Sequence, residues 1–244
     1  SGVILLVLLG YLLGKCILVE DNFYWKIFFG LLVLFGIIII TGSVIYFFYT
    51  FDNFVISLLI LGISVSVIIL SFFQKSRANI KLSLWKNIPN VKIVLLSFCF
   101  IILECISFFI LLKSSTIVAI RSPWEVVTRD FILTYFLATL FIIIISIYNK
   151  KHPVSLFFIT IHTFLSLSLT IIIYKLGYGF DPFIHRATEK MIAQIGIVTP
   201  KPLYYLGQYI IIVFLSKILF LPIPLIDALF LPIIFSIYIP QTIY

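Results

Sequence analysis

Long apolar runs broken by short polar stretches dominate the chain. Runs at 3–19, 27–49, 54–73, 92–112, 130–148, 154–176, 203–221 and 223–240 are each close to the ~20 residues a helix needs to cross a bilayer. They are continuous rather than alternating, which excludes the period-two strands of a membrane barrel. The pattern predicts an all-α polytopic transmembrane helix bundle of about eight spans. The last run contains Pro232 and is flanked by Pro222, Pro224 and Pro240, so it is expected to be kinked or re-entrant.

Composition sharpens this picture. Hydrophobic residues make up 63% of the 244 and charged residues 11%, against roughly 45–50% and 25% in soluble domains. The excess is too large for a core and excludes a soluble enzyme, a disordered tail and a nucleic-acid-binding domain. The net charge of +8 comes from 17 Lys and Arg against 9 Asp and Glu. In a chain this apolar the cations are expected to hold loops on one side of the membrane, with lipid as the partner. Cys16, Cys99 and Cys105 lie inside apolar runs and give neither a disulfide framework nor metal-ligand spacing. No charged stretch precedes the first apolar run, so it does not read as a signal peptide. With Ser1 rather than Met at position 1, the chain is expected to be processed or cut from a longer one.

Lys75, Arg77, Lys81, Lys86 and Lys92 surround the loop 74–91, and Lys150 and Lys151 fill the loop 149–153. Both loops are expected to be cytoplasmic, and the two spans between them agree with that. The turn at 50–53 and the segments 113–129 and 177–202 then face outward from what is expected to be the plasma membrane. No repeat or linker divides the chain, so residues 1–244 are read as one integral membrane domain. Gly10 and Gly14 form a Gly-xxx-Gly pair that suits a close helix contact.

The two outer segments hold most of the chemistry. In Arg121-Ser122-Pro123-Trp124-Glu125, Ser122 and Glu125 have capping-box spacing around Pro123. A helix is expected to start at Pro123 and run into the next span, placing Glu125 and Arg129 one turn apart. In the second segment Asp181 precedes Pro182, again a helix start. Phe183, Ala187, Met191 and Ile195 recur every four residues, with His185, Arg186, Glu189 and Lys190 between them. This predicts an amphipathic helix over 183–195, too polar to span and suited to the outer interface. Thr199-Pro200-Lys201-Pro202-Leu203-Tyr204-Tyr205 then forms a stiff turn with an aromatic anchor.

The acidic Asp181, the helix after it and the proline- and tyrosine-containing return resemble the first outer loop of the GT-C glycosyltransferases. These membrane enzymes transfer sugars from polyprenyl-phosphate donors; they include protein mannosyltransferases, aminoarabinose transferases and oligosaccharyltransferase catalytic subunits. The resemblance implies that Asp181 is the catalytic carboxylate, a general base on the acceptor, or in the amide-acceptor branch a group that helps bind a divalent metal. His185 and Glu189 would follow it toward the same cavity. Arg186, Lys190 and Lys201 would face the lipid-linked phosphate, with Tyr204 and Tyr205 beside them. The match covers roughly 154–221. In the family this loop follows the first span and further helices come after it, whereas here five runs precede it and two follow. The segment 153–244 is therefore read as a GT-C-like piece, a fragment of such an enzyme, and 1–152 as additional spans.

Two ionisable residues fall inside apolar runs: Glu104, midway along 92–112, and His162, in a stripe with Thr163, Ser166 and Thr170. Such groups usually face a bundle interior; with Glu104 ~18 Å and His162 ~12 Å above the inner ends of their spans, a direct or water-bridged pair between them is an open option. Lys217 and Asp227 are expected near the inner ends of their spans, snorkelling to the headgroups. Three readings thus stand: a lipid-linked-sugar glycosyltransferase resting on 177–202, a transporter or flippase resting on Glu104 and His162, and a non-catalytic scaffold.

Overall fold

The computed structural model describes residues 2–18, 23–73, 91–148, 153–179 and 181–243. Lys75, Arg77, Lys81, Lys86, Lys150 and Lys151, which carry the orientation reading, lie outside the described residues. The helices are α1 (Gly2–Ile17), α2 (Phe23–Phe48), α3 (Asn53–Phe73), α4 (Val91–Lys113), α5 (Arg129–Tyr148), α6 (Pro153–Ile173), α7 (Asp181–Ile195), α8 (Leu206–Leu219) and α9 (Ile223–Ile243). Among the described residues there is no strand, only an isolated bridge between Thr116 and Tyr174. Six helices, α2 to α6 and α9, are long and apolar enough to cross a membrane. α1 and α8, with 16 and 14 residues, are shorter. The protein is an all-α, integral multi-pass membrane protein.

The outside of these helices is as apolar as their packed faces. Phe48, Phe72, Phe73 and Val91 are more than four-fifths exposed, which is tolerable only against lipid. Hydroxyls on the helices turn back on their own backbone: Thr41 donates to the Ile37 carbonyl, Ser64 to Ile60, Ser66 to Gly62 and Thr160 to Leu156. A polar side chain in hydrocarbon has no water to bond, so this internal acceptor keeps it satisfied.

The chain divides into two compact units, Ser1–Leu84 with Phe183–Asp227, and Trp85–Pro182 with Ala228–Tyr244. In the first, α1 packs on α2, α3 and α8, and α2 packs on α8. The α1–α2 contact is made by glycine. A Cβ on Gly14 would overlap the Lys26 carbonyl, and one on Gly30 would overlap the Gly10 carbonyl. The Gly10-xxx-Gly14 pair therefore meets Gly30 backbone to backbone, the approach that small residues allow between membrane helices.

The path after α7 differs from the expected span over 203–221. The Gly196 carbonyl accepts from the Phe51 N–H, and Lys201 Nζ donates to the carbonyls of Tyr46, Phe47 and Tyr49 at 2.8–2.9 Å. Both contacts lie at the end of α2 nearest the turn 50–53. Gly207, however, faces Ile39, and Ile210 faces Gly42. α8 thus starts about ten residues down α2, ~15 Å from its end, and runs alongside it back to the same face. There Lys217, Ile218 and Phe220 share a cavity of about 660 Å³ with Gly2 and Asn53. α8 is a half-helix that enters and returns, the behaviour expected of the last run instead. Lys217 and the start of α9 consequently lie at the end of the unit that carries the turn 50–53, not at the opposite end. Asp227 does not snorkel; it is ion-paired with Arg186.

In the second unit α4, α5 and α6 pack on one another around Phe100, Ala138, Ile142, Ile145 and Phe158. The Thr116 N–H donates to the Ile173 carbonyl and the Lys175 N–H to the Thr116 carbonyl, so the segment after α4 and the end of α6 share a face. The capping box at Ser122 and Glu125 is present, but it starts only a single 3-10 turn, Pro123–Glu125. The β-branched run Val126-Val127-Thr128 then interrupts the helix until Arg129. The Glu125 carboxylate accepts from the N–H groups of Arg121 and Ser122, rather than standing one helical turn from Arg129.

Two measurements check this architecture. Gly14→Val or Gly30→Val should lower stability in detergent by about 1–3 kcal/mol, whereas Gly36→Ala and Gly62→Ala, whose Cβ would meet nothing, should leave the melting temperature unchanged. Single cysteines replacing Asn53 and Lys217 should react with an impermeant thiol reagent from the same side of a sealed vesicle. Labelling from opposite sides would mean that α8 crosses.

Candidate functional site in the first unit

α7 begins at the exposed Asp181, with Pro182 in its first turn, where a missing N–H costs nothing. Its two faces are placed the opposite way round from those of a helix on a soluble protein. Phe183, Ile184, Met191 and Ile195 are 45–61% exposed, while Glu189 is wholly buried. The apolar stripe faces outward, to lipid, and the ionisable stripe faces protein.

Two polar residues of α7 meet partners from α8 and α9, and a third, Glu189, is buried beside them. His185 Nδ1 and the Tyr209 hydroxyl are hydrogen-bonded at 2.7 Å, and the His185 ring stands edge-on to Tyr205 with centroids 4.5 Å apart. Arg186 Nε donates to Asp227 Oδ2 at 2.6 Å. Neither carboxyl oxygen of Glu189 has a hydrogen-bond partner of good geometry among the described residues. Burial, with the Asp227 charge added, pushes its pKa up from 4.5 to about 8; the neighbouring Gln208 amide and Arg186 guanidinium offset only part of this. Burial thus favours the protonated form of the Glu189 carboxyl near neutral pH.

Of the residues singled out from sequence, His185, Arg186, Glu189 and Tyr205 come together here. Lys190 and Tyr204 are exposed and stand apart. Lys201 is engaged at the end of α2, where its charge suits the free carbonyls, and its ammonium lies 5.4 Å from the Tyr46 ring centroid. Gln208, Tyr209 and Asp227 complete the cluster and were missed. Gln208 and Tyr209 sit inside an apolar run, where only the Gly207-Gln208 interruption marks them. The partner of Asp227 is 41 positions away.

The second unit holds a separate polar group on α4, α5 and α6. His162 Nδ1 lies 3.1 Å from Glu104 Oε2, and His162 Nε2 lies 2.9 Å from Thr139 Oγ1. The Tyr135 ring stacks on His162 at 4.2 Å, and its hydroxyl meets Ser166. Thr139 Oγ1 also donates to the Tyr135 carbonyl, so both contacts of this hydroxyl are met when His162 Nε2 is the donor. Glu104 Oε1 has no partner.

Among the described residues no three His, Cys, Asp or Glu side chains gather as a metal site. Against models of known protein families, characterised proteins and solved structures, the chain matches none.

The raised pKa of Glu189 has a definite consequence. Between about 4.5 and 8 the folded protein holds a proton that the unfolded chain has released. Stability should therefore be greatest below 4.5 and fall as pH rises toward 8, with a slope up to about 1.4 kcal/mol per pH unit from this group. Thermal unfolding in detergent across that range should show this decline in the wild type and a shallower one in Glu189→Gln. Equal slopes would mean that Glu189 titrates normally.

Proposed function

We propose that this chain is part of a membrane glycosyltransferase that moves a sugar from a polyprenyl-phosphate donor to an acceptor at the extracytoplasmic face. The observation that carries the reading is the facing of α7, with His185, Arg186 and Glu189 turned into the protein and an apolar stripe turned to lipid. A donor with a membrane-bound tail has to be met by such a surface, where ionisable groups lie within reach of lipid.

In the proposed reaction the acceptor oxygen bonds to the sugar's anomeric carbon as the carbon–oxygen bond to the lipid phosphate breaks. The acceptor proton passes to a carboxylate, which the GT-C resemblance assigns to Asp181. Its exposure at the start of α7 keeps it accessible. The departing phosphate needs donors and positive charge, and Arg186 and His185 are the groups at hand. Lys201, satisfied by three carbonyls, is a weaker choice than the resemblance implies. In the amide-acceptor branch a divalent metal would sit at Asp181; the described residues offer no second and third ligand.

Reconstituted membranes given a polyprenyl phosphate carrying radiolabelled sugar should transfer label, and Asp181→Asn should lower the rate by about 10²-fold or more. Full activity in that variant removes the proposed base. A cysteine replacing Asn53, on the face read as extracytoplasmic, should be labelled in intact cells.

Glu104 and His162 favour a second reading, proton-coupled transport, because two ionisable side chains meet in a buried contact between apolar helices. Proteoliposomes should then show solute uptake driven by a pH gradient and abolished in Glu104→Gln. Unchanged uptake in that variant argues against a relay there.

A further inference from the structure

We infer that the Glu104–His162 pair of the second unit exchanges protons with one face only, the face that carries the segment 113–129, and is sealed from the other. The inference rests on the transport reading in taking the proton as the ligand, and it deepens that reading by naming the side that loads the pair. What supports it is where polar side chains continue from the pair and where they stop.

Along the helices, Glu104 lies ~14 Å from the end of α4 at Lys113, Thr139 ~15 Å from the start of α5 at Arg129, and His162 ~17 Å from the end of α6 at Ile173. The pair thus sits about halfway through a hydrocarbon core of ~30 Å. From there toward the 113–129 face, hydroxyls recur at each turn. On α6, Ser166, Thr170 and Tyr174 follow His162 at four-residue steps, and Ser166 Oγ donates to the His162 carbonyl at 2.8 Å. On α5, the Tyr135 ring covers His162 and its hydroxyl meets Ser166. On α4, Ser107 stands one turn from Glu104 and donates to Thr134 Oγ1 at 2.9 Å, which donates to the Asp130 carbonyl. Leu111, Phe131 and Leu165 are buried beneath this stripe, whereas Ser166 and Thr170 are exposed, so it follows the open side of the α5–α6 groove. A proton, or the water that carries it, finds a polar partner at each step.

The other direction is closed. The next turn of each helix presents Phe100, Ile142 and Phe158, all buried. Phe100 and Phe158 pack with ring centroids 4.9 Å apart, and Phe100 stands edge-on to His162 at 6.3 Å. Ala138 and Ile145 complete the layer. Thr160 is turned to its own Leu156 carbonyl. The hydroxyls beyond, Ser97, Ser146 and Ser155, lie ~10 Å farther along their helices. An apolar constriction of that depth holds back water and ions. Glu104 Oε1, buried without a partner among the described residues, is the acceptor left open at the blind end of the stripe. The titratable groups at the pair are Glu104 from α4, Tyr135 from α5 and His162 from α6. Lys113, Arg129, Asp130 and Tyr174 stand at the 113–129 ends of these helices, with Glu125 on the 3-10 turn packed against α6.

The test is infrared difference spectroscopy of the full chain in sealed vesicles with a buffered interior. Lys175→Cys, in a chain whose native cysteines are replaced by alanine, is biotinylated with an impermeant reagent. Vesicles that show the 113–129 face outward are then captured, and the rest are collected separately. The external medium is stepped from about pH 8 to pH 5, the range in which histidine ordinarily changes charge. Captured vesicles should show carboxyl and imidazole bands that are missing in Glu104→Gln and His162→Gln. The other vesicles should show them only after an ionophore collapses the gradient. Should those variants fail to fold, isotope-labelled histidine in a chain with His152 and His185 replaced by glutamine identifies the His162 band. Tyr135→Phe, which keeps the ring and removes the hydroxyl, should slow the response of captured vesicles about tenfold. Bands that appear in both populations before collapse, or first in the uncaptured one, overturn the inference. So does the absence of any band from the pair after collapse. No solute is present, so loading from the 113–129 face without solute uptake in proteoliposomes would count against transport and leave this access standing.

Discussion

The absence of water around the helices governs this structure. In hydrocarbon a polar group has to find its partner within the protein, or it costs several kcal/mol. The serine and threonine hydroxyls that fold back on carbonyls, the glycine contact between α1 and α2, and the inward stripe of α7 all follow from that one constraint. Apolar area cannot hold the helices to each other, because lipid is an equally good partner. What holds them is close backbone approach at Gly14 and Gly30, together with a small number of polar bonds across helices such as Arg186 to Asp227 and His162 to Glu104.

The two ionisable groupings meet the same cost in different ways. Glu104 is bonded to His162, so whichever atom holds the proton, the charge or dipole on one side is answered on the other. Such a pair is costly to break and adds little beyond holding α4 to α6 unless a proton moves through it. Glu189 is buried with the Gln208 amide and the Arg186 charge as neighbours, so its cost is met by favouring the protonated form rather than by a bonded charged partner.

The sequence made the helices legible and left their paths obscure. Runs of about 20 apolar residues can do little else in a bilayer than form helices, and α2 to α6 lie where the runs predict them. The α8 run has the same composition as a span, yet composition does not record whether a helix crosses or turns back. That depended on Lys201 fastening one end of the segment to α2 and on Gly207 seating against Ile39, contacts between residues more than 150 positions apart. The amphipathicity of α7 was plain from its four-residue period. Which face looked inward was not, because period is indifferent to the solvent outside. His185, Glu189 and Arg186 could be picked out as polar residues on one short helix, whereas Tyr209, Gln208 and Asp227 looked like parts of other spans. The capping box at Ser122 was read correctly as a start signal and wrongly as the start of a long helix, since three β-branched or hydroxyl-bearing residues outweigh one good cap.

A half-helix whose start lies within the bilayer also changes what the surrounding charges mean. At an aqueous surface, Arg186 beside Asp227 would be one more exposed ion pair worth less than about 1 kcal/mol. Here the pair is largely shielded, and it fixes a guanidinium next to the open end of α8 while cancelling most of its net charge.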